Sequence, residues 1–148
     1  MNLHEMEARL SIMDLCARYT RAGDTGRGAE LAALFARDGV FQVSGGRAVG
    51  PAEIVTLVDV VKDDFASAPA NFFPARHTVT GLVIDMVDAD HAIGRSYFVL
   101  VAGWGVDHWG VYRDEYVRTP TGQWRFSSRI ATLEGTIEQS PVRFRLGT

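Results

Sequence analysis

The sequence predicts an α+β domain: a strongly curved antiparallel β-sheet wrapped around three N-terminal helices, a cone with an internal cavity. Two observations predict it. The block 92–134 reads as three long strands in a row, Ala92–Trp104, Val106–Arg118 and Gln123–Glu134. Long consecutive strands form a twisted antiparallel sheet whose apolar face needs cover. The helical periodicities all lie earlier in the chain, and helices packed into the hollow side supply that cover. Three helices do not fill a curled sheet, so a cavity lined by inward side chains is left between them.

The C-terminal strands carry the clearest patterns. Tyr97–Ala102 is a continuous apolar run, the pattern of a strand buried on both faces. In the next strand His108, Gly110, Tyr112, Asp114 and Tyr116 share one face, and Trp109, Val111, Arg113, Glu115 and Val117 the other. Thr119–Gly122 is a turn, because Pro120 sets φ and Gly122 supplies a positive φ. In the last strand strict alternation puts Trp124, Phe126 and Ile130 on one face and Arg125, Ser127, Arg129, Ala131 and Leu133 on the other.

The earlier elements follow in order. Met6, Leu10, Met13, Cys16 and Ala17 recur at helical spacing, widened by Ile12, Leu15 and Tyr19; this first helix ends near Gly23. A short second helix is expected over 27–36, with Leu31, Leu34 and Phe35 as its apolar side. Val40–Val43 and Arg47–Val49 form strands around the turn Ser44-Gly45-Gly46. Pro51 opens a third helix with Ile54, Leu57, Val58 and Val61 on one face. A loop over 66–74 leads to a strand over Arg76–Val87, joined to the next through 88–91.

Length and charge narrow the function classes. The chain has 148 residues, one domain spanning 1–148 by size. Its net charge of −3 and lack of any basic stretch give no electrostatic footprint for nucleic acid or an anionic membrane. The single Cys16 has no partner for an internal disulfide. Met1–Glu7 holds no apolar signal core and no run reaches transmembrane length, so the expected compartment is the cytoplasm.

Three local patterns then carry a resemblance. The first is Tyr19…Gly23-Asp24 followed by Leu34-Phe35-Ala36-Arg37-Asp38-Gly39-Val40-Phe41. The second is Arg76-His77-Thr78-Val79. The third is Gly110–Tyr116, then Gly122-Gln123-Trp124-Arg125-Phe126 and Arg129. In this order the chain resembles SnoaL-like members of the nuclear-transport-factor-two-like superfamily over about Leu10–Glu134. The pattern is most similar to the branch holding scytalone dehydratase and hexachlorocyclohexane dehydrochlorinase. The resemblance implies an Asp24–His77 dyad, with His77 the base and Asp24 orienting it, and no metal or organic cofactor. It also implies a catalytic role for Arg129. The dehydrochlorinase's lysine falls at Tyr19 here, a departure that leaves the substrate open. Tyr19, Phe41, Phe98, His108 and Tyr112 complete the expected substrate-binding wall.

Physical chemistry supports those residue types. A neutral imidazole accepts a proton near working pH, and a carboxylate on its other nitrogen fixes the tautomer and stabilises the imidazolium. Arginine and tyrosine hydroxyls suit the negative charge left on the substrate. Each residue also has a plainer reading: Asp24 as a helix-end turn residue, His77 as a satisfied core residue, Arg129 as the partner of Asp114. Trp104, Trp109 and Trp124 read as packing or interface. Two functions follow: a cofactor-independent lyase or isomerase acting on a small hydrophobic, cyclic molecule, or a non-catalytic small-molecule-binding or assembly domain of the same fold. Val99, Val101, Trp109 and Val111, on the face away from the cavity, predict a homo-oligomer; the resemblance implies a trimer first and a dimer second.

Overall fold

The computed structural model describes residues 1–142. Three helices, α1 (Leu3–Asp24), α2 (Gly28–Ala32) and α3 (Pro51–Ala66), accompany six strands. The strands are β1 (Phe35–Val43), β2 (Gly46–Val49), β3 (Arg76–Met86), β4 (His91–Ala102), β5 (Gly105–Arg118) and β6 (Trp124–Thr136). They form one curved, unclosed sheet in the order β2-β1-β6-β5-β4-β3. Every pairing is antiparallel except β1 with β6, which is parallel, so the sheet is mixed.

α1 starts at Asn2, whose side chain accepts from the Glu5 amide, and it packs against β3 and β6. Ala8, Ile12, Leu15, Cys16, Tyr19 and Ala22 are its buried side. They meet Phe35, Phe41, Phe98, Tyr112, Tyr116 and Phe126 from the sheet in one core. Pro51 at the first turn of α3 follows Gly50, whose φ of 82° makes the sharp entry from β2.

Three expectations are corrected. The stripe Met6, Leu10, Met13 and Ala17 is exposed, on the opposite side of α1 from the buried stripe. Helix α2 ends at Ala32 and the chain is already a strand at Phe35, because Phe35 pairs with Phe126 on β6; pairing in the tertiary fold overrides a weak local helix preference. The run Tyr97–Ala102 is buried on one face only. Phe98, Leu100 and Ala102 point inward while Tyr97 and Val101 are 59% and 40% exposed, so the apolar run fills a core on one side and builds an outer surface on the other.

Bulges aim the inward side chains. Between β4 and β5 the register shifts after Leu100–His108 to Val101–Val106, leaving Asp107 as the extra residue. Between β5 and β6 it shifts from Glu115–Ser128 to Tyr116–Phe126, with Ser127 extra. A bulge breaks the strict alternation of faces. Asp107 is therefore buried beside His108, and Arg129 is buried on the same side as Phe126.

Candidate active site

The open end of the cone holds a cavity of about 540 Å³. Its wall is mostly apolar, with Leu31, Val58, Phe65, Phe72, Ala131 and Leu133 among its residues. Asp24, His77, Tyr19, Phe41, Phe98, His108 and Tyr112 all line it. Of the catalytic and substrate-binding residues expected from the sequence, Arg129 alone does not.

Asp24 is the last residue of α1 and His77 the second of β3, so helix end and strand start converge at one point. The Asp24 carboxylate takes the His77 ring Nδ1 at 2.6 Å. It also accepts the His77 backbone N–H at 3.1 and 3.2 Å. A carboxylate only accepts, so Nδ1 carries a proton, and in the neutral ring Nε2 is the nitrogen with the lone pair. Three contacts from one residue fix both the strand start and the ring plane. Asp24's side chain is 8% exposed and His77's 27%, which leaves the ring reachable from the cavity.

A second Asp–His pair, which sequence reading missed, stands beside the first. His108 Nδ1 lies 2.7 Å from Asp107 Oδ2, and the two imidazole ring centres are 6.1 Å apart. Asp107 is fully buried and its other bonds are neutral: Trp104 Nε1 donates to Oδ1 at 3.1 Å and the Ser140 hydroxyl to Oδ2 at 2.6 Å. Burial pushes the His108 pKa down, against the opposing bond to Asp107. His108 is thus held neutral with Nε2 as its unbonded nitrogen. The only sequence signal was a carboxylate next to the histidine; strict alternation would have sent it to the other face.

Phe98 separates the two imidazoles from the tyrosines, its ring 5.9 Å from His77 and 4.7 Å from Tyr112. Gly110 on β5 permits this, because a Cβ there would fall 2.8 Å from the Phe98 ring and 2.1 Å from the Thr132 carbonyl oxygen.

Arg129 is buried behind the tyrosines. Its guanidinium sits 4.1 Å from the Tyr19 ring centre and 4.0 Å from that of Tyr112, and makes two 2.8 Å bonds to Asp114. Burial opposes its charge, and the Asp114 carboxylate more than offsets that. Its Nη1 is buried without a hydrogen-bond partner among the described residues. Burial pushes the Tyr19 hydroxyl up to about 12, against the pull of Arg129 and of a hydrogen bond from Tyr112. Burial also holds Tyr112 well above the ordinary tyrosine range. Both phenols are therefore neutral at working pH, and with the Tyr112 proton engaged by Tyr19, Tyr19 keeps its own proton to donate. Among the described residues no three His, Cys, Asp or Glu side chains gather in a way that could hold a metal ion.

The buried neutral His108 makes a prediction about pH. Unfolded, it takes up a proton near the ordinary value of ~6.5; folded, it resists. The unfolded state therefore binds more protons below that pH, and His108 makes stability fall as pH drops through it. Denaturant midpoints measured from pH 8 to 5 check this, with His108→Gln expected to flatten the profile.

A curved sheet around three helices with a lined cavity at its open end defines a class, the cone-shaped α+β folds. Within it, the sequence profile of the SnoaL-like domain matches residues 4–130, and the chain belongs to that family. Solved structures agree. The chain is 28% identical to a protein of unknown function from Mycobacterium tuberculosis, covering 92% of this chain and 81% of that one at a TM-score of 0.72. It is 26% identical to LinA, over 92% and 93%, at 0.78. It shares the fold of a hexachlorocyclohexane dehydrochlorinase, LinA-type3 from Novosphingobium barchaimii LL02, at 24% identity over 93% of each chain and a TM-score of 0.78. No curated protein sequence matches the chain significantly. No helix among the described residues is long and apolar enough to cross a membrane.

Proposed function

We propose that the protein is a cofactor-independent lyase or isomerase that removes a proton from carbon in a small hydrophobic, cyclic substrate. The observation that carries this reading is the 2.6 Å Asp24–His77 pair on the wall of an apolar cavity. His77 Nε2 is the base; Asp24 holds the tautomer and stabilises the imidazolium that forms. An apolar surround strengthens that charge pair by excluding water. The electrons left behind move toward a carbonyl oxygen or a leaving group, where the Tyr19 hydroxyl, itself accepting from Tyr112, is the donor. Arg129 supports that step from behind the rings rather than by touching the substrate. His108 Nε2 accepts a hydrogen bond from a substrate hydroxyl, which favours an oxygenated ring over a plain hydrocarbon.

Screening cyclic ketones, hydroxylated aromatics and halogenated rings for elimination or isomerisation tests the reading. A ligand that binds in the cavity and is never turned over, by wild type as by variants, leaves the binding-module reading as the better account.

The proposal includes a homo-oligomer, trimer first and dimer second, in the cytoplasm. Tyr97, Val101, Val106 and Trp109 make an exposed apolar surface on the outside of β4 and β5. Light scattering is expected to show an assembly at micromolar concentration, and Trp109→Glu to shift it toward monomer. A wild-type monomer throughout that range counts against it.

A further inference from the structure

The two Asp–His pairs at the cavity are built alike and held differently. Among the described residues, every hydrogen bond to the Asp24 carboxylate comes from His77, through the ring Nδ1 at 2.6 Å and the backbone N–H at 3.1 and 3.2 Å. Asp107 serves two further donors besides its histidine. The Ser140 hydroxyl reaches Oδ2 at 2.6 Å, the same oxygen that takes His108 Nδ1 at 2.7 Å. Trp104 Nε1 reaches Oδ1 at 3.1 Å. We propose that Ser140, with Trp104, is a positioning residue for the site: by sharing the Asp107 carboxylate it keeps His108 a neutral hydrogen-bond acceptor and leaves His77 as the base. The inference rests on the reading of His77 and His108 given under the proposed function.

Charge sharing is the first support. A carboxylate bonded to Nδ1–H makes Nε2 more basic. Other donors to that carboxylate stabilise its charge independently of the ring, so less is gained when the ring becomes an imidazolium. Asp107 is fully buried and Ser140 is 1% exposed, so the sharing is set by protein donors rather than by solvent. Burial already pushes the His108 pKa down, against its bond to Asp107. Orientation is the second support. Ser140 Oγ accepts the Val142 N–H at 3.2 Å, which aims its own proton at Asp107, and Val142 lines the cavity. The Ile137 N–H ties the same segment to the Asp107 carbonyl at 2.9 Å. The surroundings are the third. The titratable groups facing His108 are Asp107 beside it and His77 on β3, its ring centre 6.1 Å away, with Asp24 of α1 behind His77. Two positive imidazoles that close repel, so one base and one neutral acceptor is the favoured division.

NMR titration of the full chain with isotope-labelled histidine, free of substrate, tests the proposal. The chain has four histidines, and His108→Gln identifies the signal of interest. Ser140→Ala is expected to raise the midpoint of the His108 titration by about one pH unit. Trp104→Phe loses the N–H and keeps an aromatic ring beside Phe72, and it is expected to raise the midpoint too. Ser140→Thr keeps the hydroxyl, and Val142→Ala loosens the same segment while keeping the N–H and the serine. Neither is expected to move the midpoint. Thermal melts confirm folding, and Trp104→Phe carries the test alone if Ser140→Ala does not fold. A midpoint unmoved or lowered in a folded donor-deleting variant, or raised as much by Ser140→Thr or Val142→Ala, would overturn the proposal. Turnover has no part in the measurement, so a failure here leaves the lyase reading standing, and a failed substrate screen leaves the titration standing.

Discussion

Replacing His77 with Gln is expected to lower kcat/KM by about 10²–10⁴-fold with little loss of stability. Gln keeps a hydrogen-bonding end of similar reach, so it can still engage the Asp24 carboxylate, and the backbone N–H of residue 77 still donates there. What disappears is Nε2, the one atom in that pair that can take a proton from a substrate. Asp24→Asn is expected to be nearly as severe for another reason. An amide can turn its NH₂ toward the ring, which then protonates on Nε2 and presents the wrong tautomer. Steady-state kinetics of both variants, with thermal melts as controls, check the pair. His77→Gln with wild-type kcat/KM would mean that the histidine is structural.

Arg129→Met is expected to act mainly on stability, by about 3–5 kcal/mol. Among the described residues the guanidinium is the only cation bonded to Asp114, a carboxylate that is itself buried at 3% exposure. Its removal strands that charge, leaving the Tyr116 hydroxyl, at 2.8 Å, to donate to it among the described residues. It also takes away the cation packed against the rings of Tyr19, Tyr112 and Phe126. Removing both charges, Arg129→Met with Asp114→Leu, is expected to be milder than the single change, since no charge is then left unpaired. Urea midpoints of the two variants and the wild type measure this. A fully stable Arg129→Met with large loss of turnover would instead give Arg129 a direct part in the chemistry.

Much of this was legible in the sequence because period and burial agree. The alternation of His108, Gly110, Tyr112, Asp114 and Tyr116 put five residues on one face, and all five are buried. What alternation could not carry was the bulges. Asp107 and Ser127 are single extra residues, and neither a glycine nor a proline marks them. Asp107 beside His108 and Arg129 behind the tyrosines therefore appear only in the folded sheet. The first helix shows a second limit. Its apolar residues merge into one wide stripe when read as a line, while on the helix they separate into two opposite faces, and sequence alone does not say which face the sheet takes. Ser140 was illegible for a third reason. It lies past the last strand, and its 2.6 Å bond to Asp107 depends on a turn that brings the chain back to β5.

The most direct test of proton abstraction by His77 is solvent deuterium exchange. Candidate ring ketones and hydroxylated rings are incubated with the protein in D₂O and followed by proton NMR. Wild type is expected to exchange or eliminate the proton at one carbon, and His77→Gln to lose that reaction by about 10²-fold or more. A compound that exchanges equally with both proteins, or one that binds the wild-type cavity tightly while its carbon-bound protons stay in place, would contradict the account.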